Sequence, residues 1–206
     1  MKTAALGTAL FAALAAAGPI DARQASDCKA VTVLFARGTT EPGTLGTIVG
    51  PGLQKALQST LGADAVTVEG VAYPADGAGI SAEAAGSGPG STAMADQASQ
   101  WLSKCPETKL VITGYSQGAM AVHNAARMLN GKGVIGAVTF GDPFKGQPVS
   151  GIPASNFKSF CGVGDSVCSA GGCASAGGCE SKSQSGHFGY YADNDDAAAF
   201  IKSVVA

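Results

Sequence analysis

The chain has 206 residues, 14% of them charged, and a formal net charge of −2. It carries no basic stripe, so nucleic acid is not an expected partner. Past the first residues no apolar run approaches the ~20 residues that a membrane span needs, so no integral membrane segment is expected.

Lys2 opens the chain with a positive charge, and residues 4–17 are nearly all Ala, Leu, Phe and small residues. Ala15-Ala16-Ala17 fits a small-residue cleavage pattern, so residues 1–17 read as a secretory signal peptide. Residues 18–23 read as a short propeptide ending at Arg23. What remains, 24–206, suits a secreted, extracellular protein of one domain with a real core. A monomer is expected.

Residues 31–35 form a short β-branched run that breaks at Arg37-Gly38. Residues 47–61 carry apolar residues at helical spacing, and 65–71 is a strand candidate ended by Tyr73-Pro74. Residues 77–91 are rich in Gly, Ala and Ser and read as a flexible loop. A helix over 92–104, a strand over 109–113 and a helix over 117–129 follow. A strand over 134–140 ends at Gly141-Asp142-Pro143, and a shorter one spans 157–160. Residues 169–186 are dominated by Ser, Gly, Ala and Cys. The last helix, 194–205, has Asp195 and Asp196 at its positive end. Strands alternating with helices imply an α/β fold: a mainly parallel sheet of about five strands, covered on both faces.

Six cysteines follow the leader: Cys28, Cys105, Cys161, Cys168, Cys173 and Cys179. An even count in a secreted chain reads as three disulfides, and the sequence does not choose among the pairings. Cys161 and Cys168 lack the spacing of zinc ligand pairs, and only two histidines exist, so no metal is expected.

Gly114-Tyr115-Ser116-Gln117-Gly118 matches G-x-S-x-G between a strand and a helix, the setting of a nucleophile elbow. Ser116 is therefore the candidate nucleophile, with the helix N-terminus placed to stabilise developing negative charge. A serine needs a base, and only His123 and His187 are available. His123 lies roughly 10 Å up the helix from Ser116, out of reach. That leaves His187, in the chain order Ser, acid, His of α/β-hydrolases. Asp142 and Asp165 both fall in the acid's interval. Asp142 precedes Pro143 and is explained by a turn. Asp165 lies between Cys161 and Cys168, where a disulfide would hold its loop rigid, and is favoured.

These residues resemble the fungal cutinase family, which includes acetylxylan esterases. The resemblance rests on Ala36-Arg37-Gly38-Thr39-Thr40-Glu41-Pro42-Gly43, on the serine pentapeptide, and on Cys161-Gly162-Val163-Gly164-Asp165-Ser166-Val167-Cys168 followed by His187. It implies a small, lidless α/β-hydrolase sandwich of three layers, α/β/α. It implies the pairs Cys28–Cys105 and Cys161–Cys168 and, by subtraction, Cys173–Cys179. It implies an oxyanion hole from the N–H groups of Thr39 and Gln117, with the Thr39 hydroxyl, and a structural pair of Arg37 and Glu41. The expected substrate is an ester or polyester such as cutin, or an acetylated polysaccharide, and no cofactor is called for. The chain departs from the family pattern in two rim loops. One is the polar run Ser183-Gln184-Ser185-Gly186 before His187, and the other is 77–91, where Ile80 is the main large apolar residue. A less apolar rim would hold long acyl chains less well, by ~0.8 kcal/mol per methylene left unburied.

Overall fold

Every residue of the first strand, β1 (Val31–Ala36), is buried, as in the centre of a parallel sheet covered on both faces. The computed structural model describes residues 28–169 and 181–206. The expected signal peptide (1–17) and propeptide (18–23), the expected start of the domain at residue 24, and the expected Cys173–Cys179 pair lie outside the described residues. The other strands are β2 (Val66–Gly70), β3 (Lys109–Tyr115), β4 (Val134–Phe140) and β5 (Phe157–Phe160). They form one parallel sheet in the order β2-β1-β3-β4-β5.

The period of two in a strand divides β1 between two cores. Val31, Val33 and Phe35 join Leu53 and Leu57 of α1 (Gly50–Leu61) and Ala198 and Ile201 of α5 (Asn194–Val205). Leu34 and Ala36 join Met94 and Ala98 of α3 (Pro89–Lys104) and Ala121, Val122 and Ala125 of α4 (Gln117–Met128). The result is an α/β/α sandwich. Leu53, Leu57 and Ile201 are each fully buried, worth about 1.5–3 kcal/mol apiece relative to exposure.

The loop expected over 77–91 is instead largely helical. A helix, α2, spans Gly77–Ala84, and α3 already starts at Pro89. α2 lacks the apolar periodicity that marks a helix in sequence, whereas α3, expected over 92–104, begins three residues earlier than expected; tertiary polar contacts fix α2 and the start of α3. The Asp76 side chain accepts the Gly79 N–H at 2.8 Å and caps α2. The buried Glu83 carboxyl accepts Ser91 N–H at 2.8 Å and Asn124 Nδ2 at 2.8 Å, joining α2 to α3 and α4. The helix expected from residue 47 starts at Gly50. The N–H groups of Thr47 and Ile48 go to Glu41 Oε1 (2.7 and 2.9 Å), and Pro51 then opens the helix. Strand β3 runs two residues past its expected end, because Gly114 and Tyr115 pair with Thr139 and Phe140.

Disulfides join Cys28 to Cys105 and Cys161 to Cys168. The first closes a separation of 77 residues, worth about 4.5 kcal/mol if its effect is on unfolded-chain entropy. The second encloses Asp165. Among the described residues no helix is long and apolar enough to cross a membrane.

Candidate active site

The strand order reverses between β1 and β3, and open α/β sheets bind ligands outside the carboxyl ends of the strands at such a reversal. The loop after β1 carries Thr39, and the turn after β3 carries Ser116. β3 ends at Tyr115 and α4 begins at Gln117, so Ser116 alone reverses the chain. It does so at φ 57° and ψ −119°, a region that costs a non-glycine residue roughly 1–3 kcal/mol. The flanking glycines permit this. A Cβ on Gly114 would sit 2.1 Å from the Gly118 carbonyl oxygen, and one on Gly118 would sit 2.0 Å from that of Ala36.

The structure brings the three sequence-predicted residues together. Ser116 Oγ lies 2.9 Å from His187 Nε2, and His187 Nδ1 lies 2.7 Å from Asp165 Oδ2. The His187 side chain is 18% exposed and that of Asp165 is fully buried, so the pair meets solvent only through the imidazole. Burial alone would push the Asp165 carboxyl up. Hydrogen bonds from Tyr190, His187 and the Val167 N–H outweigh it and hold the group below the usual carboxylate range. Such a relay can remove a proton from Ser116 and hold the resulting imidazolium beside a carboxylate.

Two tyrosines that the sequence did not single out complete the surroundings. Tyr190, fully buried, donates its phenol to Asp165 Oδ2. Tyr115 donates to the backbone carbonyl of His187 at 2.8 Å, and its ring lies 5.1 Å from the imidazole. Burial pushes both phenols up, so both stay protonated donors. Neither has a local signal: Tyr115 occupies a free position of the pentapeptide, and Tyr190 reaches Asp165 across 25 residues of sequence.

The loop after β1 is built from inside. Arg37, buried, donates Nε to the Glu41 carbonyl at 2.7 Å and Nη2 to the carbonyls of Tyr73 (2.7 Å) and Pro74 (3.2 Å). The Glu41 carboxyl accepts the N–H groups of Gly38, Thr47 and Ile48. The expected Arg37–Glu41 pair thus acts through the backbone: each side chain holds main chain on either side of Thr39. Gln117 is the first residue of α4, where a backbone N–H has no intrahelical partner. Its side chain reaches the Asp76 carbonyl at 2.9 Å, tying α2 to the elbow.

His123 and Asp142 form a separate pair, 2.8 Å apart, both buried. Asp142 Oδ1 also accepts the Phe144 N–H at 2.8 Å, the turn role expected of it.

Large apolar side chains are exposed elsewhere on the surface. Phe188, directly after His187, is 69% exposed, Val163 63% and Ile80 41%. Gln184 and Ser185 are exposed as well.

A cutinase family profile matches residues 27–205. The chain is 44% identical over 208 residues to a cutinase of Botryotinia fuckeliana, covering 98% of each. Among solved structures it resembles a Trichoderma reesei cutinase in complex with a C11Y4 phosphonate inhibitor. That likeness has a TM-score of 0.73 at 40% identity and covers 87% of this chain and 78% of that one. It also resembles the catalytic core domain of a Trichoderma reesei acetyl xylan esterase, with TM-score 0.62, 25% identity, and coverage of 85% and 98%. With the serine elbow at the sheet's reversal and a family match over nearly all of its described length, the chain belongs to the cutinase family and is a serine esterase.

Proposed function

We propose that the chain is a secreted carboxylic ester hydrolase that cleaves cutin-type polyester and short-to-medium acyl esters. The observation that carries this reading is the unbroken line of hydrogen bonds from Ser116 through His187 to Asp165. Ser116 Oγ attacks the ester carbonyl while His187 Nε2 takes its proton. Asp165 holds the imidazole in the tautomer that accepts from serine and stabilises its charge. The N–H groups of Thr39 and Gln117, with the Thr39 hydroxyl, receive the oxyanion, at roughly 3 kcal/mol per donor. His187 then protonates the leaving alcohol, and water attacks the acyl enzyme by the same route.

Exposed Ile80, Val163 and Phe188 favour an acyl chain over a purely polar ligand. A second reading, an acetylxylan esterase removing acetyl groups from plant cell-wall xylan, is supported by exposed Gln184 and Ser185 beside His187. One experiment tests both: hydrolysis of p-nitrophenyl esters of increasing chain length by the wild type and by Ser116→Ala. The proposal expects wild-type activity on butyrate and longer esters, and its loss in a folded Ser116→Ala variant. Activity confined to acetate, with acetate released from xylan, transfers the assignment to the second reading. Full activity in Ser116→Ala overturns the mechanism.

A further inference from the structure

We propose that Tyr190 is a positioning residue for the acid of this site, its phenol fixing Asp165 Oδ2 so that one lone pair faces His187. The inference rests on the reading of Ser116, His187 and Asp165 given above.

The hydrogen-bond accounting points one way. Asp165 Oδ1 is occupied by the Val167 N–H at 2.8 Å. Oδ2 receives both His187 Nδ1 at 2.7 Å and the Tyr190 phenol. The phenol oxygen in turn accepts the Gly162 N–H at 3.0 Å and lies 3.4 Å from Cys168 Sγ. Cys168 is in a disulfide and has no proton to give. A phenol has one proton, and an ionised carboxylate only accepts, so that proton goes to Asp165. Tyr190 therefore ties the carboxylate to Gly162, at the start of the loop that the Cys161–Cys168 disulfide closes.

The plainer role for Tyr190 is core packing. Its ring is fully buried and meets Phe140 edge-on at 6.2 Å and Tyr115 at 5.9 Å. Phenylalanine would serve that role without burying a hydroxyl, which is unfavourable unless it is bonded. The bond it makes is to the one carboxylate that contacts His187. A carboxylate held only by its loop could swing about its Cα–Cβ and Cβ–Cγ bonds. With a donor on each oxygen it cannot, and small misplacements at such a site are costly in rate.

The sign of the pH effect follows from the same bond. Tyr190 is among the donors that hold the Asp165 carboxyl low. Removing it lets that carboxyl protonate at higher pH, so the acid limb of kcat/KM moves to higher pH. The other titratable groups around the carboxylate are His187, Tyr115 and Lys145, and Lys145 and Tyr115 both interact with its charge. None of them is altered by the substitution. Asp165 and His187 are coupled, so the limb reports the pair.

The test is kcat, KM and the pH profile for p-nitrophenyl butyrate in wild type, Tyr190→Phe, Asp165→Ala and the double variant, with Tm measured alongside. Tyr190→Phe is expected to lower kcat about tenfold, the size of one hydrogen bond to a charged group, with KM within about twofold. In the Asp165→Ala background the same change is expected to alter kcat by less than about twofold, because no carboxylate remains to be held. Tyr190→Phe also orphans the Gly162 N–H, but that effect is present in both backgrounds and cancels in the comparison. A fluorinated tyrosine at position 190, a stronger donor on the same ring, moves the acid limb to lower pH. Equal factors in the two backgrounds, or an unmoved acid limb, overturn the proposal and leave the assignment of Asp165 standing. Wild-type kcat in Asp165→Ala overturns that assignment and the proposal with it.

Discussion

Gly118→Ala probes the elbow with one added carbon. The new Cβ would lie 2.0 Å from the Ala36 carbonyl oxygen, 2.5 Å from its carbon and 2.8 Å from the Arg37 oxygen, all backbone. Cβ atoms essentially never approach within 3.0 Å of another heavy atom, so α4 and the end of β1 must part by about 1 Å. Overpacking of this kind costs about 1–3 kcal/mol. For a chain of this size that lowers Tm by roughly 2–4 °C per kcal/mol. The effect on rate should be larger than on stability. The two backbones being separated carry Ser116 and Gln117 on one side and Thr39 on the other, so the nucleophile and the proposed oxyanion donors lose register together. A 1 Å misplacement at reacting atoms can cost about a hundredfold. The assay is kcat/KM on p-nitrophenyl butyrate beside a thermal melt, with Gly77→Ala as the control. A Cβ on Gly77 meets nothing within 4 Å, and that residue is not in the left-handed region. The expected result is a folded Gly118→Ala protein with kcat/KM down about a hundredfold and an unaffected Gly77→Ala. Activity of Gly118→Ala close to wild type would refute the claim that this contact sets the register of the site.

Two further outcomes concern stability. Asp165 is held below its ordinary 3.8, so its ionised form stabilises the fold. That contribution is complete above the unfolded value and is lost as pH falls through the depressed folded value. The Tm gap between wild type and Asp165→Asn is therefore expected to be widest at neutral pH and to narrow below about pH 4; a gap independent of pH counts against it. Glu83→Ala strands the Ser91 N–H and the Asn124 amide in a buried setting. A loss of about 2–5 kcal/mol is expected, read as a falling midpoint in urea; an unmoved midpoint means that α2 and α3 hold without it.

Much of this was legible in the sequence where the cause is local. A short β-branched run marks β1, and apolar runs of the same kind give β4 and β5 at their expected bounds. The elbow is local too, because strand, serine and helix are consecutive. What was not legible depends on side chains that meet from far apart. α2 has no apolar stripe; Asp76 and Glu83 fix it, the latter through Asn124, 41 residues on. The turn just ahead of α1 is held from a distance too: the Glu41 carboxyl accepts the Thr47 and Ile48 N–H groups before the helix begins at Gly50. Tyr190 is an ordinary tyrosine until the fold delivers Asp165 to it.

The two histidines show what distance along the chain can and cannot decide. Helical rise excludes His123 as the partner of Ser116, but it does not say what His123 does. The structure gives two Asp–His pairs of nearly equal length, 2.8 Å for Asp142–His123 and 2.7 Å for Asp165–His187. Pair geometry alone therefore does not make a base. The difference lies in what each imidazole faces. His123 uses Nε2 on its aspartate, and its ring is wedged edge-on between Phe144 and Phe157, each 5.7 Å away, with its side chain 6% exposed. A proton gained there has no substrate to go to, and the pair serves to pin α4 to the chain leaving β4. His187 uses Nδ1 on its aspartate, which leaves Nε2 on Ser116 at the open edge of the sheet. On the proposed reading the same two residue types serve as a structural clamp at His123 and as a proton relay at His187, and the difference is that the second nitrogen of His187 meets Ser116.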